Sequence, residues 1–467
     1  MYRTTIVPRR LTAVPFPAGH PEIAARHSQV HPVAAILVRM RNFTRVSAAL
    51  VLCFLLVCRP AGAYSLLTHE QLIDLTWHAS IAPLLRSRYP GITPEQLEHA
   101  RSYAYAGCVI QDIGYYPFGD PFFSDLTHYV RTGDFIVHLF RNAKNADELA
   151  FAIGALSHYI GDNVGHSQST NRAVSQEFPK LAAKYGPFVT FGEDEHAHVQ
   201  TEFAFDINEI AHHRLAPVHY LRHVGLNIPT VQLANAFYQT YGLSEKFSKA
   251  RFHRVNVGGF RFAVSNFIPR IAYAVTLLHR SRMPADSDSP DVHKLESEVA
   301  RIAVENNWDH YRRKPGIGTY TLAGFIYILP KIGPLKLVAI KGPTSNTEEE
   351  YVRSVNQSAE ALSSALSRFG KPHQTLPNRD LDTGAPVRPG GYRLTDETYA
   401  KLLARLVADP KHSVPPGLKA DIENYYADPA APIRTKEKPE KWAQVQTGLQ
   451  TLQTMPVSDQ PIAAETD

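Results

Sequence analysis

Cysteine is scarce, with three in 467 residues. That is too few for a disulfide-built scaffold or an all-Cys zinc site. Long apolar runs are also missing. The two best, residues 46–57 and 319–329, are shorter than the ~20 residues a membrane span requires. Gly-x-Ser-x-Gly, Cys-x-x-Cys, His-Glu-x-x-His and Walker loops do not occur, so those hydrolase, redox and nucleotide-binding classes lose support. No series of alternating strands and no internal repeat is found. What the chain does have is 22 His, 34 Pro and 44 Phe plus Tyr. At 44% hydrophobic and 20% charged it can bury a sizeable core.

The net charge of +5 is unevenly placed. Residues 1–63 hold eight Arg, no Lys and one acid, Glu22. Within them, Met40-Arg-Asn-Phe-Thr-Arg45 precedes the apolar run and then Ala61-Gly62-Ala63. This is the layout of a signal peptide over 40–63, cut between Ala63 and Tyr64. Residues 1–39 match no targeting element and are expected to be an upstream extension, with translation starting at Met40. The expected location is secreted or periplasmic. Removing the eight Arg and Glu22 takes the net charge from +5 to −2, so no broad nucleic-acid footprint remains. The mature chain would keep only Cys108, and a metal site is a candidate substitute for a disulfide.

From Tyr64 onward the pattern is helical, and the fold class expected is all-α. Ile92-Thr93-Pro94-Glu95 and Asn145-Ala-Asp-Glu148 read as helix starts. Leu149, Ala152, Ile153, Leu156 and Ile160 repeat near 3.6. Residues 64–340 are expected to form the catalytic domain and 341–467 a helical extension of unknown role. Residues 319–329 are expected to be buried core, with an interfacial lipid contact as the minor alternative.

Eleven of the 22 His lie between Tyr64 and His213. His158-Tyr-Ile-Gly-Asp162 and His198-Val-Gln-Thr-Glu202 place an imidazole and a carboxylate on one helix face. His166 lies one further turn along. Most such pairs are solvated surface contacts, but the flanking residues here are apolar, and unpaired polar groups on a buried face are costly. A metal resolves that cost, and imidazole with carboxylate suits zinc in a hydrolytic site. Asp112 and His128 also sit in apolar settings, though alone each reads more simply as a turn residue and a satisfied core histidine.

The order of features resembles the zinc-dependent phospholipase C family of secreted bacterial enzymes, whose fold is shared by fungal single-strand-specific nucleases. These features are a cleaved amino end, an early His, an Asp followed 16 residues later by a His, His-x3-Asp, another His and His-x3-Glu. The resemblance implies three zinc ions. Asp112, His128, His158 and Asp162 would hold the first; His166, His198 and Glu202 the second. His69, Asp162 and the α-amino nitrogen and carbonyl of Tyr64 would hold the third. Asp112 would also be the general base that orients or deprotonates the attacking water. This sequence departs from the family in starting with Tyr rather than Trp. It also sets His166 four positions after Asp162 rather than six, with Gln168 or water as the substitute ligand.

Tyr115, Tyr116, Phe118, Phe122 and Phe123 lie between Asp112 and His128, interrupted by Pro117 and Gly119-Asp-Pro121. Tyr115, Tyr116 and Phe118 are the substrate-binding candidates, able to hold a choline head group, lipid or a base. The alternative is plain core. The expected substrate is a phospholipid or other phosphodiester, with transient membrane contact and no obligatory protein partner. A nuclease or nucleotidase using the same metals, or a non-catalytic exported metal-binding relative, are the alternatives.

Overall fold

The computed structural model describes residues 66–116, 119–245, 247–248, 255–331, 333–368, 375–409 and 413–459. The expected signal peptide, the upstream extension, Tyr64 and Phe118 lie outside them. Among the described residues the architecture is all-α. The strand pairing consists of a two-residue parallel pair, Phe247–Ser248 with Val255–Asn256, and two isolated bridges.

Local sequence explains where the helices begin. Thr93 and Gln96 form a reciprocal capping box ahead of the Pro94–Gly107 helix, with Pro94 at its first position. Asp120 caps the Pro121–Tyr129 helix, Asn145 the Ala146–Gly165 helix and Asp194 the Glu195–Ala211 helix. Each accepts a bond from a first-turn N–H.

The Ala146–Gly165 helix is the centre of the molecule and is buried along most of its length. The Pro94–Gly107 helix packs along it. Two glycines permit the close approach. A Cβ on Gly107 would meet the Phe151 carbonyl at 2.2 Å, and one on Gly154 would meet the Ala104 carbonyl at 2.2 Å. The Ser345–Arg368 helix, from the C-terminal part of the chain, packs along the same central helix and along Leu66–Thr76.

At its end the central helix does not stop. It widens into a π-helical turn, His166–Thr170, and resumes as Asn171–Glu177. The backbone from Asp162 to His166 therefore stays helical.

One expectation is corrected. The 319–329 segment forms the Ile317–Ile328 helix, but it is not core. Only Ala323 and Ile326 are buried; Ile317, Tyr320, Tyr327 and Ile328 are 85%, 59%, 76% and 72% exposed. The helix lies against the Ile268–His279 helix on one side and keeps an apolar stripe in solvent.

Candidate metal centre

Each donor named from the sequence, Tyr64 apart, has its place among these elements. The Leu66–Thr76 helix carries His69, and its first N–H groups are held by Asp206. That carboxylate accepts from Leu67 N and Thr68 N, both at 3.1 Å, and from Thr68 Oγ1 at 2.9 Å. Asp112 lies on a single 3-10 turn, Gln111–Gly114, and His128 near the end of the Pro121–Tyr129 helix. The central helix carries His158 and Asp162, its widened turn carries His166, and the Glu195–Ala211 helix carries His198 and Glu202. All eight residues are 2% exposed or less.

Folding gathers them into three groups whose donor atoms lie within 4.8 Å of one another. These are Asp112, His128 and His158; His69, His158 and Asp162; and His166, His198 and Glu202. Asp162 sits between the first two. Its Oδ1 is 3.3 Å from His69 Nε2, and its Oδ2 is 3.1 Å from His158 Nε2 and 3.5 Å from His128 Nε2. Asp112 Oδ1 lies 3.3 Å from His128 Nε2. Glu202 Oε1 lies 2.9 Å from His198 Nε2 and 3.0 Å from His166 Nε2. Gln168, the substitute for His166, is exposed.

Three of the imidazoles have their tautomer set by the backbone. His128 Nδ1 donates to the Ser124 carbonyl at 2.7 Å, His158 Nδ1 to Cys108 at 3.0 Å and His166 Nδ1 to Leu381 at 2.7 Å. A carbonyl only accepts, so in each neutral ring Nδ1 bears the proton and Nε2 presents a lone pair. Those lone pairs converge on carboxylates, which when ionised also only accept.

The electrostatics carry the same strain. Burial pushes Glu202 up to about 8, only partly opposed by His166, and pushes His198 down to about 4. Burial is also the largest influence on Asp162, but His158, His128 and His69 outweigh it and hold the carboxyl well below its usual range. Both Asp162 oxygens, Asp112 Oδ1 and His198 Nε2 are buried without a well-formed hydrogen bond among the described residues. Such groups are expensive to leave unsatisfied. A divalent cation accepts every one of these lone pairs, and the all-nitrogen-and-oxygen donor set fits zinc.

A fourth acidic group, His212, Asp286 and Glu348, is different. Arg214 donates to Asp286 at 2.9 Å and to Glu348 at 2.8 Å, so its guanidinium already supplies the positive charge.

The aromatic candidates divide. Tyr115 and Tyr116 are buried. The Tyr115 ring lies 5.5 Å from that of His128, and its hydroxyl donates to Asp125 at 3.2 Å. The Tyr116 ring packs instead 5.9 Å from Phe260. Phe123 is core, stacked on Phe237 at 4.9 Å, and Phe122 lies under the Arg405 guanidinium.

Sequence reasoning missed two contributors. Asp206 continues the series of His198 and Glu202 by one more turn, and that spacing was a readable signal. The other is the segment 377–382, on which no motif falls. Leu381 accepts from His166 and donates its N–H to the His128 carbonyl at 3.0 Å. Asp382 Oδ2 accepts from Tyr129 at 3.0 Å and Tyr392 at 2.7 Å, and Pro377 accepts from Tyr159 at 2.6 Å.

Neither the curated proteins nor the solved structures compared with this chain give a match. One family model does, and it spans every donor from His69 to Glu202. Residues 68–248 match the model of a family described as zinc dependent phospholipase C.

Proposed function

We propose that the protein is an exported zinc-dependent phosphodiesterase that hydrolyses phospholipids in the manner of a phospholipase C. The observation that carries this reading is the convergence of Asp112, His128, His158, Asp162, His166, His198, Glu202 and His69 into three adjoining groups inside the family segment.

Three zinc ions are assigned to it. Asp112, His128, His158 and Asp162 would hold the first; His166, His198 and Glu202 would hold the second. His69, Asp162 and the amine of Tyr64, freed by cleavage after Ala63, would hold the third. When bound, zinc supplies positive charge for the phosphodiester oxygens and lowers the pKa of water toward neutrality.

The chain's own residues do the rest. Asp112 receives the proton of the attacking water, its Oδ1 being available beside His128. The carbonyls of Ser124, Cys108 and Leu381 stop three imidazoles from turning away. Tyr115, Tyr116 and Phe118 are assigned to the substrate approach, and the Tyr115 ring next to His128 is the strongest of them.

The test is turnover by purified, zinc-loaded protein that begins at Tyr64. Phosphatidylcholine should yield diacylglycerol and phosphocholine. Cleavage of single-stranded DNA with the lipid untouched would replace this reading with a nuclease. Intact folding with no zinc uptake would make the chain a non-enzymatic relative.

A further inference from the structure

We propose that the exposed stripe of the Ile317–Ile328 helix and the cationic groove beside it form a docking surface for an anionic phospholipid bilayer. The choice of a lipid surface as occupant rests on the phospholipase reading above.

Residues 315–330 contain no charged side chain, yet Arg312-Arg313-Lys314 precedes them and Lys331 follows. A helix of 12 residues is roughly 18 Å long, so it cannot cross a hydrocarbon core of roughly 30 Å. Among the described residues no helix is long and apolar enough to do so. The helix instead presents Ile317, Tyr320, Gly324, Tyr327 and Ile328 to solvent, one stripe at helical spacing. Among the described residues, four of the nine large hydrophobics singled out as exposed belong to this stripe, so the exposure is concentrated rather than scattered.

Next to the stripe lies a groove of about 330 Å³. Arg222, Arg270, Arg280, Arg312, Arg313 and Lys314 line it, together with apolar Tyr273 and Leu277. Arg312 pairs with Asp309 at 3.3 Å. Among the described residues, no carboxylate comes within ion-pairing distance of the other five. The field is felt locally. Burial first, then Arg222 and Arg313, hold the His219 imidazole below its ordinary value, and burial with Arg270 lowers Arg222.

A polyanion alone would satisfy the groove and leave the stripe in water. An apolar protein partner would cover the stripe and leave five cations uncompensated. A bilayer with anionic lipids offers phosphate to the groove and acyl chain to Ile317 and Ile328 at the same time, with Tyr320 and Tyr327 at the headgroup level.

The experiment is co-sedimentation of the full-length, zinc-loaded protein with vesicles. One set is phosphatidylcholine alone; the other adds phosphatidylglycerol. Wild type should partition more strongly onto the mixed vesicles, and salt should weaken it. Tyr327→Ser with Ile328→Ser should reduce partitioning by about a hundredfold. Arg313→Ala should reduce it by about fivefold, on the mixed vesicles only. Both variants should keep wild-type melting temperature and wild-type turnover of a soluble short-chain phosphatidylcholine. Unchanged partitioning of the serine variant overturns the proposal. So does a wild-type dimer that the serine variant dissolves, because a second copy would then cover the stripe. Vesicle binding without any lipid turnover would remove the phospholipase reading and leave the docking surface standing.

Discussion

His128 and His158 face each other, Nε2 to Nε2 at 3.4 Å, while each Nδ1 donates to a main-chain carbonyl. Two lone pairs therefore point at one another in a space where both rings are at most 1% exposed. Asp162 Oδ2, 3.5 Å from His128 Nε2 and 3.1 Å from His158 Nε2, adds further acceptors rather than donors to neutral rings. Only a proton or a cation can sit between them, and a shared divalent ion satisfies all three residues together.

Asp162→Asn should therefore release metal. The substitution keeps volume but removes the charge that three imidazoles surround. Zinc affinity should fall by more than the roughly 10–100-fold typical of partners outside the ligand set. Asp112→Asn should keep most zinc and lose turnover. Metal content after dialysis checks both. Full zinc occupancy in the Asp162 variant would contradict the assignment.

Zinc should stabilise the fold. At a free concentration about 100 times Kd, each site that exists only in the folded state contributes about 2.7 kcal/mol. Chelation should lower Tm, and stoichiometric zinc should restore it. A Tm indifferent to zinc would show that these donors form no metal site.

Asp382→Ala should weaken the same centre from outside it. The change strips an acceptor from Tyr129 and Tyr392, costing about 1–3 kcal/mol. It also loosens the backbone that holds His166 and His128. Zinc titration of this variant should show weakened binding at the His166, His198 and Glu202 group. Unaltered affinity would make the segment 377–382 merely adjacent.

Gly154→Ala should destabilise by about 1–3 kcal/mol, since its Cβ would press on the Ala104 carbonyl. Gly324→Ala should do the opposite. That position is helical with nothing within 4 Å, so alanine adds roughly 0.5–1 kcal/mol of helix propensity. Chemical denaturation of the two variants reads both signs.

Glu177 offers a pH test away from the metal. Burial raises its pKa to about 7, against hydrogen bonds from Thr347 and Thr201 that favour the charge. An acid with a raised folded pKa favours the fold while protonated. That contribution is whole below the unfolded value near ~4.5 and is lost as pH rises to about 7. Glu177→Gln should therefore gain about 3 kcal/mol over wild type at roughly pH 8, and nothing at roughly pH 4. An equal effect at both pH values would point to lost packing instead.

The sequence by itself determined the helices and most of the donors, because both depend on short-range spacing. Caps at Thr93 and Asn145 and the i,i+4 pairs His158–Asp162 and His198–Glu202 are local, so short-range spacing exposes them. The family order of donors extended this to Asp112, His128 and His69. Tertiary structure decided the rest. Leu381 reaches His166 through a backbone carbonyl, which any residue supplies, so no pattern marks it across 215 positions. Asp162 becomes the shared group only because folding brings His69 to one of its oxygens and His128 to the other. The Ile317–Ile328 helix reads as core by hydropathy alone. Burial, however, depends on whether another element is present to cover a face, and among the described residues none covers this one.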